Sequence, residues 1–396
     1  MNKGVAITGM GITSALGFGI ESNYKALLSN KHGISFPELL DTKHKNLPVG
    51  EIKRSNLDLE EELQLSFGHS YTRAALLAIF SIKEAVTNSR LDKEQLYNMG
   101  LISGSSVGGI DATEEYYNNY ESSEENRRFI RAQHPGFTTS QISGYFNING
   151  YSSTISTACS SGANAIMMGA RLIKSGKLDR VIVGGTDCLT KFTLNGFNTL
   201  KILSEELCKP FDEYRNGLNL GEGSAYLVLE ADHLLNEKKV LGRIIGYGNA
   251  NDAFHQTASS ETGEGAFLAM KKAIQVSGLK TSEIDYINAH GTATKNNDLS
   301  ESIAIERIFG SEIPTFSSTK AFTGHTLAAA GALEAVFSIL SLQNDKQFAN
   351  LNFTEAMLET NLKPVTNLRS VSMQHVLSNS FGFGGNCTSL IFSKNG

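Results

Sequence analysis

The feature that most constrains this chain is a repetition. Ser156 to Ile173 (STACSSGANAIMMGARLI) and Thr323 to Leu340 (TGHTLAAAGALEAVFSIL) each pass from a polar entry into small and then apolar residues. Both begin with Ser or Thr where a helix cap is wanted, then set Ala and Gly where a second helix can approach closely. Gly4 to Thr8 (GVAIT) reads as a buried strand entering a Gly-rich turn, and Arg243 to Gly248 (RIIGYG) echoes it. Two such helices, at similar depth in two segments that open alike, imply an internal duplication with halves 1–240 and 241–396. Six prolines and no Ser/Gly linker mean that the halves pack together instead of hanging on a tether. The expected fold is therefore layered α/β, with two sheets enclosing the small-residue helices.

Other elements follow from local pattern. Helical spacing marks Ser70 to Ala85 and Gly265 to Ser277, and strands are expected at Met99 to Ser106, Arg180 to Gly184, Ala225 to Leu229, Val371 to Leu377 and Thr388 to Phe392. Glu114 to Gln133, polar and Tyr-rich, reads as a surface excursion. The apolar run Ala74 to Ile82 is far short of the ~18 residues that span a bilayer. Met1-Asn2-Lys3 and the Gly-rich segment after it hold no apolar core of signal-peptide length. A cytoplasmic protein without membrane insertion is expected.

Forty acidic against 35 basic residues, net −5, exclude a general nucleic-acid binder, which needs a basic excess to neutralise phosphates. The four cysteines (Cys159, Cys188, Cys208, Cys387) form no C-x-x-C pair and no disulfide framework, as suits a reducing compartment. Without H-x-x-x-H or a Cys/His cluster at ligand spacing, no metal site is expected. Gly9-Met10-Gly11 follows a strand, but Ser14 stands where a dinucleotide fingerprint needs its third glycine, and Gly104 to Gly109 lacks the Lys of a phosphate loop. These glycines are expected to permit close packing.

Cys159 lies where the first polar entry turns into its helix. A thiol there feels the positive end of the helix dipole, which favours the nucleophilic thiolate; the same position also suits a small core cysteine. His290 ends an apolar stretch and opens a tight polar loop (NAHGTAT), a place for a functional or a capping histidine. His325 heads the second small-residue helix, in a place analogous to Cys159; a histidine at a helix start tends to stay neutral and can donate a hydrogen bond to an oxyanion. His255 is expected to border a pocket. Ser378 to Asn386 (SNSFGFGGN), between two strands, is read either as a Gly-rich hairpin or as backbone N–H groups presented to an oxyanion.

Four separated motifs, TACSSG, NAHGTAT, STKAFTGHTLAAAGALEA and NSFGFGG, occur in the order found in the elongating β-ketoacyl-acyl-carrier-protein synthases of the thiolase superfamily. The resemblance covers nearly the whole chain and includes KPFDEYRNGLNLGEG, which resembles a chiefly structural segment of that family. It implies a thiolase-like five-layered fold and decarboxylative Claisen condensation. Cys159 would carry the acyl chain as a thioester; His290 and His325 would bind the malonyl thioester, promote loss of CO2 and stabilise the enolate. The N–H groups of Cys159 and Phe383 would form the oxyanion hole. Lys320, with Glu301 or Glu334, would support the histidines. Thr292 and Thr294 would bind the phosphopantetheine arm, Val107, Phe197 and His255 would contact substrate, and Phe383 would gate the acyl pocket. The implied partners are acyl carrier protein and a second copy of the chain; no metal or redox cofactor is implied, substrates arriving on the carrier's phosphopantetheine.

The departures are local. Asn386-Cys387 stand where the family usually has Thr-Asn, Asn216 replaces a usual Asp, and Lys295-Asn296-Asn297 replaces a Pro/Gly-containing turn. The basic cluster near the carrier entrance is thinned, with Arg73 and Lys201 remaining. A specialised polyene or aromatic polyketide pathway and a non-condensing partner subunit are the alternatives to fatty-acid elongation.

Overall fold

The protein is described here by a computed structural model covering residues 4–124, 126–236 and 238–394; Met1-Asn2-Lys3, read above for a leader, lies outside the described residues. The amino-terminal half runs β1 (Val5–Ser14), α1 (Arg73–Ser89), β2 (Gly100–Gly104), α2 (Pro135–Phe146), β3 (Ser152–Ile155), α3 (Ser161–Lys174), β4 (Arg180–Asp187) and β5 (Gly223–Glu230). The carboxy-terminal half repeats that order: β6 (Gly242–Asn251), α4 (Glu264–Ser277), β7 (Tyr286–Asn288), α5 (Lys295–Phe309), β8 (Thr315–Ser317), α6 (Ala330–Asn344), β9 (His375–Phe381) and β10 (Asn386–Ser393).

The strand order is β3-β2-β4-β5-β1 in the first half and β8-β7-β9-β10-β6 in the second. In each, the first three strands are parallel, and the fourth runs antiparallel to both the third and the fifth. The two sheets meet at β1 and β6, where Val5, Ala6 and Ile7 pair with Ile244, Arg243 and Gly242, so hydrogen bonding is continuous across the seam. Helices α3 and α6 lie between the sheets, with α1 outside the first and α4 outside the second, giving five layers.

The sequence dictates this arrangement. Strands β2, β4 and β5 are covered on both faces, which is why they read as unbroken apolar runs. Helix α6 is buried on nearly every side and accordingly apolar all round. The single bilayer-length apolar helical stretch among the described residues, Leu327–Asn344, is 89% buried in this core. The glycine pairs have the packing role expected of them. A Cβ at Gly9 or Gly11 would stand 2.1 or 2.0 Å from carbonyls of α1, and one at Gly246 or Gly248 would stand 2.5 or 2.1 Å from carbonyls of α4.

Two expectations are corrected. The helix expected over Thr323 to Leu340 is broken into Lys320–Thr323, a 3-10 turn at Leu327–Ala329, and α6, because Gly324 and Leu327 have positive φ. The strand expected at Val371 to Leu377 runs instead over His375–Phe381, because the polar Asn379 and Ser380 are buried against hydrogen-bond partners. The excursion from Glu114 to Gln133 lies at the surface as expected, with Phe129 and Ala132 its buried points, Tyr116 stacked on Phe129 with centroids 4.4 Å apart and the Gly109 N–H donating to the Ala132 carbonyl at 2.9 Å.

Candidate active site

Between β3 and α3 the backbone makes a left-handed turn. Ala158 has φ 51°, a conformation that costs an L residue about 1–2 kcal/mol. Ser161 holds it, its hydroxyl accepting from the Thr157 N–H at 2.9 Å and donating to the Ala158 carbonyl at 2.6 Å. The turn delivers Cys159 to the wall of a cavity of about 460 Å³ that His290, His325, Phe381 and Phe383 also line.

The two histidines reach this cavity from separate connections. His290 follows β7, and the N–H groups of His290 and Gly291 donate to the Glu301 carboxylate of α5 at 2.9 and 2.8 Å. His325 lies between the short helix Lys320–Thr323 and α6. The rings are 5.4 Å apart between centroids and nearly perpendicular, at 89°. Lys320 donates to His290 Nδ1 at 3.1 Å and to the His290 carbonyl at 2.6 Å, and it pairs with the Glu334 carboxylate. The Leu327 N–H donates to His325 Nδ1 at 3.1 Å. With both Nδ1 atoms accepting, the proton of each neutral ring is assigned to Nε2.

Electrostatics favour that state. Burial first, then the Lys320 charge, holds both imidazoles well below their ordinary range, and for His290 the second ring adds to it. The site thus offers two N–H donors and no imidazolium. Burial pushes Glu301 and Glu334 up to about 7, the latter against the pull of Lys320. Of the two carboxylates considered as partners for Lys320, Glu334 has that role; Glu301 holds the His290 loop through its backbone and also accepts from Asn379 at 3.0 Å.

The expected thiolate is corrected. Burial pushes the Cys159 thiol up to about 11 despite the Lys320 charge and the N–H groups of Phe383 and Cys159, which pull the other way. Cys159 precedes the first helical residue by two positions, and desolvation outweighs the dipole there. The resting sulfur is a thiol. The N–H groups of Phe383 and Cys159 thus both act on the Cys159 sulfur.

Thr292, Thr294, Phe197 and His255 also line the cavity, the threonine hydroxyls 2.9 Å apart. Phe197 stacks on Phe383 with centroids 5.5 Å apart and planes at 20°. Val107 does not line it: the side chain packs in the apolar cluster of Leu189, Leu194, Leu218 and Leu327, beside Phe197. Arg73 is not a rim charge. It is buried against Glu222 at 2.7 Å, its guanidinium filling carbonyls of Ile52 and Arg54, whereas Lys201 does stand at the cavity. Sequence reading passed over Asp187, which accepts from the hydroxyls of Ser105 and Ser106 at 2.8 and 2.5 Å and from the Ala328 N–H at 2.9 Å, tying three loops together. Its signal was a carboxylate closing a strand whose centre, Val181 to Gly185, is apolar. Among the described residues, no three His, Cys, Asp or Glu side chains are grouped to hold a metal ion.

Comparison with known proteins gives a consistent match. The family model for the beta-ketoacyl synthase N-terminal domain matches residues 2–234, and that for its C-terminal domain matches residues 241–354. The chain is 32% identical to 3-oxoacyl-[acyl-carrier-protein] synthase 2 of Staphylococcus aureus (strain COL), over 99% of each chain. It is 34% identical to a putative mitochondrial 3-oxoacyl-[acyl-carrier-protein] synthase of Schizosaccharomyces pombe, again over 99% of each. Among solved structures, the ishigamide ketosynthase/chain length factor superposes with a TM-score of 0.92 at 26% identity, covering 100% of both chains.

Proposed function

This chain belongs to the β-ketoacyl synthase family, and we propose that it joins an acyl group held on Cys159 to malonyl-acyl carrier protein, releasing CO2 and β-ketoacyl-acyl carrier protein, as in fatty-acid chain elongation. It is a β-ketoacyl-acyl-carrier-protein synthase. The observation that carries this reading is the meeting of one buried thiol and two neutral Nε2–H donors in a single cavity.

In the first half-reaction the Cys159 sulfur attacks the acyl carrier thioester. The carbonyl oxygen takes up charge against the N–H groups of Cys159 and Phe383, and the carrier's thiol leaves with the proton that Cys159 gave up. In the second, the malonyl thioester carbonyl accepts hydrogen bonds from His290 and His325. The carboxylate's C–C bond breaks to release CO2, its electron pair forms the enolate, and the two donors stabilise the enolate oxygen. The enolate carbon attacks the acyl-Cys159 carbonyl, the oxyanion forms at the same N–H pair, and its collapse expels the sulfur as thiolate, which takes up one proton from solvent water to restore the thiol. Lys320 keeps His290 Nδ1 occupied, so that the ring presents a donor and not a base. Thr292 and Thr294 hold the phosphopantetheine arm, Phe197, His255 and Phe383 contact the acyl thioester, and acyl groups come from acyl carrier protein with no bound metal or redox cofactor.

Dimerisation is part of the proposal: among the described residues β3 pairs only with β2, and its outer edge, two to five residues before the Cys159 turn's Thr157, is partly exposed and suited to a second copy. The reading places the enzyme in the cytoplasm. A second reading, elongation in a polyene or polyketide pathway, is favoured by the overlay on a ketosynthase/chain-length-factor assembly; it keeps the chemistry and changes the acyl chain. A non-condensing subunit has no use for the complete Cys159–His290–His325 set. The test is intact-mass analysis after exposure to acyl carriers of graded chain length and unsaturation. A mass gain mapped to Cys159, chased by malonyl carrier into a product two carbons longer, is expected; no acylation of Cys159 by any member of the series would overturn the reading.

A further inference from the structure

The oxyanion pair is drawn from two halves of the chain, Cys159 before α3 and Phe383 in the turn between β9 and β10. Two donors on separate elements serve one oxygen only while their spacing is held to a fraction of an ångström. We propose that Asn386 holds it, as a positioning residue that locks the Cys159 turn to the Phe383 turn. The proposal rests on the reading of Cys159 as the acyl acceptor.

One residue grips both turns. The Asn386 carbonyl accepts the Gly382 N–H at 2.8 Å and so closes the turn that carries Phe383. Its side-chain Oδ1 lies 2.8 Å from Ser160 Oγ, the residue after Cys159, 2.8 Å from Asn164 Nδ2 in the first turn of α3, and 2.9 Å from Asn249 Nδ2 on β6. The donors are themselves knit together. Asn249 Nδ2 also reaches Asn164 Oδ1 at 3.0 Å, the Thr388 hydroxyl donates to Asn164 Oδ1 at 2.7 Å, and Asn164 Nδ2 reaches Thr157 Oγ1 at 2.9 Å, at the foot of the left-handed turn.

Asn386 acts from outside the reaction space: its neighbours Gly385 and Cys387 line the cavity and Asn386 does not. Every side-chain contact it makes is as an acceptor through one oxygen, so an oxygen at that position is the chemical requirement. Removing it frees the Ser160 end of the Cys159 turn from the Phe383 turn while leaving His290, His325, Lys320 and Glu334 on their own hydrogen bonds.

The two half-reactions separate this role from a general loss of structure. Acyl transfer to Cys159, which uses the N–H pair, is followed by intact mass; malonyl decarboxylation, which uses the two imidazoles, is followed by CO2 release. Asn386→Ala is expected to lower kcat for acyl transfer on the order of tenfold to a hundredfold, with KM for the acyl carrier and the decarboxylation rate within about twofold. Asn386→Asp, which keeps the accepting oxygen, is expected to recover most of the loss. Asn249→Ala, at an exposed position, is expected to give a smaller loss in the same direction and carries the test if Asn386→Ala does not fold. An equal fall in both half-reactions, no fall in either, or an Asp variant as slow as Ala would overturn the proposal. Failure of the unaltered protein to accept any acyl group would overturn the functional reading instead.

Discussion

Ala158 in the first half and Leu327 in the second stand at the same distance before a central helix, with φ of 51° and 52°. The residue after each differs. In the first half it is Cys159; in the second it is Ala328, whose N–H is tied to Asp187 at 2.9 Å. The second half places its chemistry upstream, in a connection spanning residues 318–329 against 156–160 in the first, and the added length carries Lys320 and His325. His325 therefore matches Cys159 as a member of the same connection, not as the equivalent residue. Duplication supplied the frame; reactivity came where the copies diverged.

The sharpest way to break this division of labour is to remove each half's contribution alone. Cys159→Ala is expected to abolish condensation, by about 10³-fold or more, because no other thiol has both N–H donors beside it. Malonyl decarboxylation, which the proposed mechanism gives to the second half, should persist or rise, and CO2 release from malonyl carrier measures it. Both activities surviving would remove Cys159 as nucleophile. His325→Ala should do the reverse. On the proposed mechanism it deletes one of two enolate donors, so decarboxylation is expected to fall by about 10²–10³-fold, while acylation of Cys159, read by mass, falls much less. Parallel losses in the two assays would mean that the halves do not divide the chemistry.

How much of this was legible beforehand follows from what kind of information each feature needs. The central helices, the paired opening strands and the glycine pairs were legible because burial and close approach leave a local pattern. Cys159, His290, His325 and Lys320 were legible through the motifs that resemble a known family. Arg73 was not: a lone arginine at a helix start looks like a surface charge until Glu222, far along the chain, is folded onto it. The division of Glu301 and Glu334 between loop and lysine, and the breadth of the Asn386 network, likewise depend on pairings between distant segments. The thiol state of Cys159 was misjudged because sequence shows the helix start but not the depth of burial.

A structural comparison sharpens the symmetry at smaller cost. Gly162 of α3 and Gly331 of α6 face each other's helices. A Cβ at Gly162 would stand 2.8 Å from the Ala328 carbonyl and 3.1 Å from Ala332 Cβ, and one at Gly331 would stand 2.5 Å from Ser380 Oγ and 2.8 Å from Ala163 Cβ. Gly162→Ala and Gly331→Ala are each expected to cost about 1–3 kcal/mol by overpacking, measured by denaturant unfolding. A loss confined to one would show that the crossing is not shared equally by the halves.

The smallest expected effect concerns the carboxylates that hold the loops. Asp187 in the first half and Glu301 in the second are both buried acceptors of backbone N–H groups, and burial raises both above their ordinary values, Glu301 to about 7 from 4.5. A carboxyl that binds its proton more tightly folded than unfolded contributes stability at low pH. For Glu301 that contribution is complete below about pH 4.5 and is lost as pH rises through about 7. Between those limits the free energy of unfolding falls with pH, by at most about 1.4 kcal/mol per unit for one such group. Glu301→Gln cannot ionise. It loses one accepting oxygen and so starts from a lower stability, but its unfolding free energy should decline less steeply from pH 5 to pH 7 than that of the unaltered protein. Denaturant midpoints across that range read the slope directly. Identical slopes would mean that Glu301 stays ionised in the fold, held so by the His290 and Gly291 N–H groups, and that the second half guards its histidine loop with a charge and not with a proton.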